Sequence, residues 1–316
     1  MKRHLFILNP AAGRKDITEK LKRIIEKLGI TDKFDIFITD SNGSAEAEVE
    51  RFLRENTKEF VNVYACGGDG TVSEVANGIY RSGNNNCALG IVPVGSGNDF
   101  VKSFDIPADR FRDIKSLLEG DIADIDILLA RDNNGPERVS LNIISAGFDA
   151  AVAKGQQKFK KLPLVNGSMA YNMSLVKSLF SGLKNYFTVL ADGERFGRMG
   201  DGPYLFVIAA NGRYYGGGFK ASPFSDLNDG LLDLIRIDTV SRPRFLSLVG
   251  KFRKGEYINE YQDIVNYKQC KKMQIISEGL IDLNLDGEIY PMRNPIVEII
   301  PKALKLILPK TEVENV

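Results

Sequence analysis

The 316-residue chain has few of the side chains that most often carry metal and nucleophilic chemistry. It contains one histidine, His4, and three separated cysteines, Cys66, Cys87 and Cys270. A single histidine excludes multi-histidine metal sites and histidine-dependent triads unless His4 itself takes part. Because no C-x-x-C pair is present, a zinc ribbon is also excluded, and the isolated cysteines indicate a reducing compartment. Acid and base catalysis is therefore expected from carboxylates.

Long apolar runs and an excess of one charge are also missing. No stretch approaches the roughly 18 uninterrupted apolar residues of a membrane-spanning helix, and Leu5–Leu8 is too short for the core of a signal peptide. Lys and Arg number 42 and Asp and Glu 41, so the net charge of +1 provides no overall field for nucleic acid. We expect a cytoplasmic protein without a nucleic-acid partner, at most peripheral at the inner face of a membrane.

Apolar segments of strand length alternate with helical periodicity through the first 130 residues. The strand-like runs are Leu5–Leu8, Phe34–Ile38, Val61–Cys66 and Ala88–Val92. This order predicts a parallel sheet covered by helices on both faces, whose ligands bind beyond the carboxyl ends of the strands. The length of the chain favours a second domain.

From about Ile122 the pattern changes to short strand-like runs separated by Asp-Gly and Asn-Asp-Gly turns, which predicts a mainly β domain. Tyr204–Ala210 is interpreted as a buried strand, and helical periodicity returns at Ser168–Leu183 and Arg242–Lys254. We place an α/β domain at residues 1–124 and a β domain at 125–294. The final segment, about 295–316, is strand-like and either stays in the second domain or returns to the first.

One strand leads directly into a glycine turn that carries an acidic residue. Val61–Cys66 is followed by Gly67-Gly68-Asp69-Gly70-Thr71 and then by a helix. Glycines let the backbone approach a bulky anion, and the N–H groups at the start of a helix favour phosphate. Asp69 among them suggests a magnesium ion shared with phosphates. The alternative is a tight turn in which the aspartate bonds its own backbone. Thr71 and Glu74 have the spacing of a capping box.

Two further small-residue turns follow neighbouring strands. Asn9–Gly13 ends the first strand, and the turn after Ala88–Val92 contains Gly95, Ser96, Asn98 and Asp99. Neither a dinucleotide fingerprint nor a Walker motif is present. Three such turns at one sheet edge predict a nucleotide cradle.

The motifs together resemble the diacylglycerol kinase catalytic family, which includes bacterial soluble lipid kinases and the related sphingosine and ceramide kinases. The resemblance is carried by NPAAG (9–13), GGDGTVSEVANG (67–78), VPVGSGNDF (92–100), LNDGL (227–231) and LNLDGE (283–288). GGDGT alone also occurs in NAD kinases and phosphofructokinases, whereas the combination is specific. The resemblance implies a Rossmann-like nucleotide-binding domain of the NAD kinase and diacylglycerol kinase type, a C-terminal β-sandwich domain, and an ATP site in the cleft between them.

The resemblance also assigns residues. The nucleotide would be bound by Asn9, Pro10, Ala11, Ala12, Gly13, Thr39, Gly67, Gly68, Asp69, Gly70, Thr71, Glu74, Gly95, Ser96 and Asn98. Asp69 would reach a catalytic Mg²⁺ through water, helped by Asp99 and Asp126. A separate structural Mg²⁺ would lie on the Asp229 carboxylate and the backbone carbonyls of Asp226 and Leu231. The family commonly has Ser at Ala12 and Asn at Ser73, so one contact to the nucleotide is in doubt here.

Asp286-Gly287-Glu288 forms the last motif. The residues alone favour a solvated hairpin tip, but the resemblance implies that this pair accepts the proton of a lipid hydroxyl, with the base either Asp286 or Glu288. The predicted reaction is transfer of the ATP γ-phosphoryl group to a lipid such as diacylglycerol.

The lysine-rich segment Lys154–Leu162 is either a membrane contact or an ordinary solvated loop. Two alternative functions stay open: an NAD kinase-like enzyme acting on a soluble nucleotide, and a nucleotide-binding protein without turnover. The sequence does not specify the lipid or the oligomeric state, and a homo-oligomer is compatible with it.

Overall fold

The computed structural model describes residues 2–13, 15–132, 135–148, 150–152, 155, 184–197 and 203–310. It divides into two compact units, Met1–Ile125 with Lys302–Val316 and Asp126–Pro301. The helix predicted at Ser168–Leu183 lies outside the described residues, as does Lys154–Leu162 apart from Gly155. Two long strands, β5 (Asp121–Arg131) and β16 (Ile296–Leu308), pass from one unit into the other.

The first unit contains a parallel sheet in the order β2, β1, β3, β4 and the C-terminal end of β16. Its strands are β1 (Lys2–Leu8), β2 (Lys33–Ile38), β3 (Phe60–Gly67) and β4 (Cys87–Pro93). β3 and β4 are almost entirely buried, as a sheet covered on both faces requires. His4 is a core residue of β1 that stacks on Tyr64.

Three longer helices connect these strands: α1 (Thr18–Lys27), α2 (Ser44–Glu55) and α3 (Asp69–Ser82). α1 buries Leu21 and Ile25 of its apolar face, whereas Ile24 on the same face is 38% exposed. After β4 come a 3₁₀ turn (Phe100–Ser103) and two short helices, α4 (Ala108–Arg112) and α5 (Ile114–Leu118).

The predicted capping box of α3 is wrong. Gly68 is the N-cap residue of α3, and no side chain caps the helix. The Glu74 carboxylate instead accepts the backbone N–H of Ala45 in the first turn of α2, at 3.2 Å, and the Thr71 hydroxyl accepts from Asn9. Thr71 is the third residue of α3, so the T-x-x-E spacing places the helix start three residues too late, and Glu74 stabilises the start of the neighbouring helix.

The second unit contains an antiparallel sheet in the order β12, β11, β10, β7, β14, β15. Its strands are β7 (Ile143–Gly147), β10 (Tyr204–Ala210), β11 (Leu232–Asp238), β12 (Val265–Cys270), β14 (Leu280–Leu285) and β15 (Glu288–Arg293). The remaining strands of the unit are β6 (Arg138–Ser140), β8 (Thr188–Ala191), β9 (Glu194–Arg195) and β13 (Lys272–Ile276), which pair with one another or with β5 and β16.

Both faces of β10, in the middle of the six-stranded sheet, are buried. On one face Val207 and Ala209 belong to a core shared with the other strands of the unit, which makes a β sandwich. On the opposite face Phe206 and Ile208 pack with residues of α6 (Arg242–Lys254) and α7 (Tyr257–Glu260). This explains why β10 is continuously apolar, and it confirms the buried strand predicted at Tyr204–Ala210.

The predicted fold class is confirmed: an α/β unit with a parallel sheet and a unit built as an antiparallel sandwich. Within the described part of the chain, no helix is long and apolar enough to cross a membrane.

The Glu74 contact can be tested by replacing Glu74 with Ala. We expect the free energy of unfolding to fall by about 1 kcal/mol, because one N–H at the start of α2 loses its acceptor. Hydrogen exchange at the Ala45 amide should accelerate. Glu55→Ala, which removes a surface ion pair with Arg51 in the same helix, should change stability by less than about 0.5 kcal/mol. Unchanged exchange at Ala45 would contradict the assignment.

Candidate functional site

The turns after β3 and β4 lie against each other at the carboxyl end of the sheet. The amides of Val94 and Gly95 both donate to the carbonyl of Gly67, at 2.9 and 3.2 Å. A Cβ atom on Gly95 would lie 2.5 Å from the Cα of Gly68. Because only a residue without a side chain fits this approach, the two glycine clusters form one joined surface of backbone.

The turn after β1 is fixed to the same surface. The Asn9 amide nitrogen donates to the Thr71 hydroxyl at 2.8 Å, and its oxygen accepts from the amide of Ala11 at 2.9 Å. Gly13 has φ +80°, and a Cβ there would lie 2.5 Å from the carbonyl oxygen of Val94. The three predicted turns therefore meet, as expected from their positions after parallel strands.

Asp69 bridges two of these turns. Its Oδ1 accepts the backbone N–H of Asp99 at 2.7 Å and lies 3.5 Å from that of Phe100. The carboxylate therefore accepts hydrogen bonds from the neighbouring turn. In the alternative given above, Asp69 would accept a hydrogen bond from the backbone of its own turn instead. Oδ2 lies beside Gly97, where an added Cβ would come within 2.7 Å of it.

This corner fits a magnesium ion, which prefers oxygen ligands and is usually held by one or two carboxylates together with substrate phosphates. The glycine at position 97 leaves space next to the Asp69 carboxylate that any side chain would fill. Asp99 is nearby and buried, and its carboxylate lies 2.6 Å from the Lys102 ammonium group. Asp69 and Asp99 therefore lie close together, and the Asp99 carboxylate also forms an ion pair with Lys102.

The remaining predicted nucleotide residues of the first unit lie on or beside these turns. Thr39 follows β2, is buried, and donates its amide to the carbonyl of Leu8. Ser96 is exposed, and Asn98 donates its side-chain amide to the carbonyl of Gly95 at 2.7 Å. Glu74 lies in α3 with its carboxylate on the first turn of α2. No side chain caps the N-terminus of α3, and the backbone N–H groups at a helix start favour phosphate oxygens.

Asp286 occupies the turn between β14 and β15, with φ +49°. Its carboxylate accepts from the Ser140 hydroxyl at 2.8 Å and from the amides of Leu141 and Ile143, each at 2.9 Å. Burial raises the pKa of the Asp286 carboxyl, and these hydrogen bonds oppose the rise. The side chain therefore fastens the segment that enters β7.

Glu288 begins β15 opposite Leu285 and is half-buried. One residue, Gly287, separates it from the turn residue Asp286 in the hairpin.

Asp126 belongs to the second unit and is fully buried. Its Oδ2 accepts the amide of Gly230 at 2.7 Å, and its own amide donates to the carbonyl of Leu227 at 2.7 Å. The side chain that was predicted to help a catalytic metal thus holds the turn that was predicted to bind the structural one. Its role toward a catalytic metal stays a prediction.

Asp229 lies in that turn. Its Oδ1 accepts the amide of Leu231 at 2.9 Å, and its Oδ2 lies 3.3 Å from the side-chain amide of Gln269. Burial and the nearby carboxylates of Asp233, Asp226 and Asp126 raise the pKa of Asp229.

In the described residues, no group of three acidic, cysteine or histidine side chains is arranged to hold a metal ion. A cation at this turn would need one carboxylate with backbone carbonyls, which is the ligand set that the resemblance implies for Asp229, Asp226 and Leu231. The acidic side chains of Asp226, Asp229 and Asp126 around this turn fit such a cation in charge, although backbone and Gln269 amides already donate to the Asp229 carboxylate.

The sequence analysis missed two asparagines that support these residues. Asn211 is fully buried and donates to the carbonyls of Asp126 and Leu141, at 2.9 and 2.8 Å. Asn142 donates to the carbonyl of Tyr214. The sequence does contain a signal for Asn211, because this residue directly follows the apolar run of β10, just as Asn9 follows the apolar run of β1.

Comparison with known proteins identifies both halves of the chain. Residues 3–130 match the diacylglycerol kinase catalytic domain, and residues 142–308 match the YegS C-terminal NAD kinase beta sandwich-like domain. The chain is 28% identical to the diacylglycerol kinase of Bacillus subtilis over 318 residues, which cover 100% of this chain and 99% of that protein. It is 33% identical to the probable lipid kinase YegS of Escherichia fergusonii over 315 residues, covering 96% and 95%.

The fold has a close counterpart among solved structures. A putative diacylglycerol kinase from Bacillus anthracis superimposes with a TM-score of 0.73 at 22% identity, over 96% of each chain. The resemblance inferred from the motifs is thereby confirmed, and the chain belongs to the diacylglycerol kinase and YegS-like family of lipid kinases.

Proposed function

We propose that the protein transfers the γ-phosphoryl group of ATP to the hydroxyl group of a lipid such as diacylglycerol, with Mg²⁺ as cofactor. The observation that carries the proposal is the joined surface of the three turns after β1, β3 and β4. It presents backbone N–H groups and the start of α3 together with the Asp69 carboxylate. Membership of a lipid kinase family supports kinase chemistry, and the Bacillus subtilis relative is named a diacylglycerol kinase.

In this proposal the first unit binds the nucleotide. The backbone N–H groups of the glycine turns and the positive end of the α3 dipole bind phosphate oxygens. Asp69, helped by Asp99, would hold Mg²⁺, which supplies charge neutralisation for the transferred phosphoryl group. Asp69 keeps its place because its Oδ1 is already bonded to the turn that carries Asp99.

The second unit supplies the acceptor side. We assign Glu288 as the group that takes the hydroxyl proton and Asp286 as a positioning residue. Asp286 already accepts three hydrogen bonds from the segment that enters β7. Taking up a proton there would disrupt those bonds. Glu288 begins the strand that follows the turn. The turn of Asp226, Asp229 and Leu231 is proposed as the structural Mg²⁺ site.

Because the proposed acceptor is a lipid, we also propose that the protein is cytoplasmic and contacts the membrane peripherally. An NAD kinase-like activity and nucleotide binding without turnover are the competing functions.

Transfer of label from γ-labelled ATP should be measured with diacylglycerol in mixed micelles and with NAD, each with and without a chelator. Labelled lipid that disappears with chelator supports the proposal. Labelled NADP alone, or tight ATP binding with no labelled product, would replace it with the corresponding alternative.

Asp69→Asn tests the nucleotide side. The asparagine oxygen can still accept the Asp99 amide, so the thermal transition should stay near that of the wild type. The lost charge should lower kcat at least a hundredfold, about 2.7 kcal/mol in the barrier. Asp109→Asn, an exposed change in α4, serves as the matched control with unchanged kcat. A variant that keeps more than about a tenth of kcat would remove Asp69 from the proposed site.

Glu288→Gln and Asp286→Asn test the two carboxylates against each other. Glu288→Gln should lose at least a hundredfold in kcat and lose the acidic limb of its pH profile, because the base is gone. Asp286→Asn should lower the free energy of unfolding by about 1–3 kcal/mol, since an amide group faces backbone donors, while the acidic limb persists. Asparagine tolerates positive φ, so the backbone is not the cause. If Asp286→Asn loses the acidic limb and Glu288→Gln keeps it, the two roles are reversed.

A further inference from the structure

Arg112, the last residue of α4, contacts the end of β4. Its Nε donates to the backbone carbonyl of Pro93 at 3.1 Å. Pro93 is the final residue of β4, and the turn that contains Gly95, Ser96 and Asn98 begins directly after it. The guanidinium group of Arg112 is therefore attached to the carboxyl end of the parallel sheet, which is where sheets of this kind bind their ligands.

The turn after Pro93 contacts both other turns of the candidate nucleotide surface. The amide of Val94 donates to the carbonyl of Gly67 at 2.9 Å. Gly13 lies so close that a Cβ atom on it would be 2.5 Å from the carbonyl oxygen of Val94. Arg112 thus bonds the residue that immediately precedes the point where the three turns meet. Its charge lies beside the surface to which the nucleotide is assigned.

The charge of Arg112 is not neutralised by an ion pair with any described residue. The two acidic residues nearest to it in the chain have other partners. Asp109 accepts the amide of the next residue and Asp113 the amide two residues further on, each at 3.1 Å. Lys102 also lies near this turn, but its ammonium group is paired with the Asp99 carboxylate at 2.6 Å.

The remaining donors of Arg112 suit a phosphate group. Arginine has five N–H donors in one plane, and the bond from Nε to Pro93 uses one of them. The terminal nitrogens form a fork that matches two oxygens of a phosphate. Because Arg112 is exposed, a ligand can approach this fork from solvent. The bond to Pro93 also restricts the orientation of the guanidinium group, which lowers the entropy lost when a ligand binds.

We propose that Arg112 binds a phosphate group of the nucleotide on the joined surface of the three turns. The inference rests on the nucleotide-binding part of the proposed function and not on the lipid acceptor. A polyphosphate is repelled by the Asp69 and Asp99 carboxylates, and a cation attached to the third turn offsets part of that repulsion. Arg112 lies outside every motif that carries the family resemblance, so the sequence analysis did not identify it.

Titration with phosphate ligands tests the assignment. The dissociation constants of ATP and of inorganic triphosphate are measured by calorimetry on the full chain at constant Mg²⁺. Arg112→Gln should weaken the binding of both about tenfold or more, because a charge-assisted hydrogen bond to phosphate is lost. Arg110→Gln is the matched control, because Arg110 lies in the same helix but donates to the carbonyl of Lys310. It should change the affinity for ATP less than about threefold.

A second variant and the salt dependence separate a phosphate contact from a structural role in the turn. Arg112→Lys keeps the charge without the fork, so its affinity for ATP should lie between those of wild type and Arg112→Gln. The affinity of Arg112→Gln should fall less steeply with added NaCl than that of wild type, because one fewer cation is screened. If lysine recovers no affinity, or the salt dependence is unchanged, the effect is structural and the proposal is overturned. Circular dichroism of each variant establishes that the fold is retained.

The outcomes for wild type distinguish this inference from the proposed kinase. If wild type does not bind ATP, both are rejected. If it binds ATP and Arg112→Gln binds ATP equally well, the role of Arg112 is rejected and the kinase proposal stands. A loss of affinity in Arg112→Gln without transfer to any lipid upholds Arg112 and rejects the kinase.

A phosphorylated lipid carries the same chemical group as the nucleotide, so a short-chain phosphatidic acid that is soluble as a monomer is titrated in the same way. Arg112→Gln should bind this ligand with an affinity within about threefold of that of wild type. If the variant weakens the binding of phosphatidic acid and leaves that of ATP unchanged, the phosphate belongs to the lipid and the nucleotide assignment is overturned.

Discussion

The close approach of Gly68 and Gly95 is the constraint on which the candidate nucleotide surface depends. A Cβ on Gly95 would stand 2.5 Å from the Cα of Gly68, so the turns after β3 and β4 can meet only as bare backbone. Once they meet, the Gly67 carbonyl accepts two amides of the other turn, and the Asp69 carboxylate accepts the amide of Asp99. Backbone donors and an acidic oxygen are then held on rigid strands, which is what phosphate and metal binding require.

Carboxylates in the second unit have a larger structural role than their motifs indicate. Asp286 accepts three donors from residues 140–143, and Asp126 holds the turn of residues 227–230. Removing such a group leaves buried N–H groups without acceptors, which costs more than the loss of an exposed ion pair. An acidic residue in a family motif can therefore be indispensable without touching substrate, and loss of activity alone does not assign it a chemical role.

Local periodicity was enough to predict the two kinds of domain and the strands β1 to β4 of the parallel sheet. β10 was identified from a continuous apolar run, and the turns at the carboxyl ends of β1, β3 and β4 follow from parallel strand order. The partners of individual side chains could not be predicted, because they are distant in the chain. Ser140 and Asp286 are 146 residues apart, and Glu74 bonds Ala45 across 29 residues. The capping-box prediction failed for this reason, since a local rule names only local partners.

The same distinction explains why the DGE motif was ambiguous in the sequence. Burial raises the pKa of Asp286, and three donors oppose that rise by stabilising the ionised form. A base must accept a proton and later release it, so a carboxylate whose oxygens already organise backbone amides is the poorer candidate. The proposed preference for Glu288 over Asp286 as the base therefore rests on the entry into β7, a segment that no motif marks.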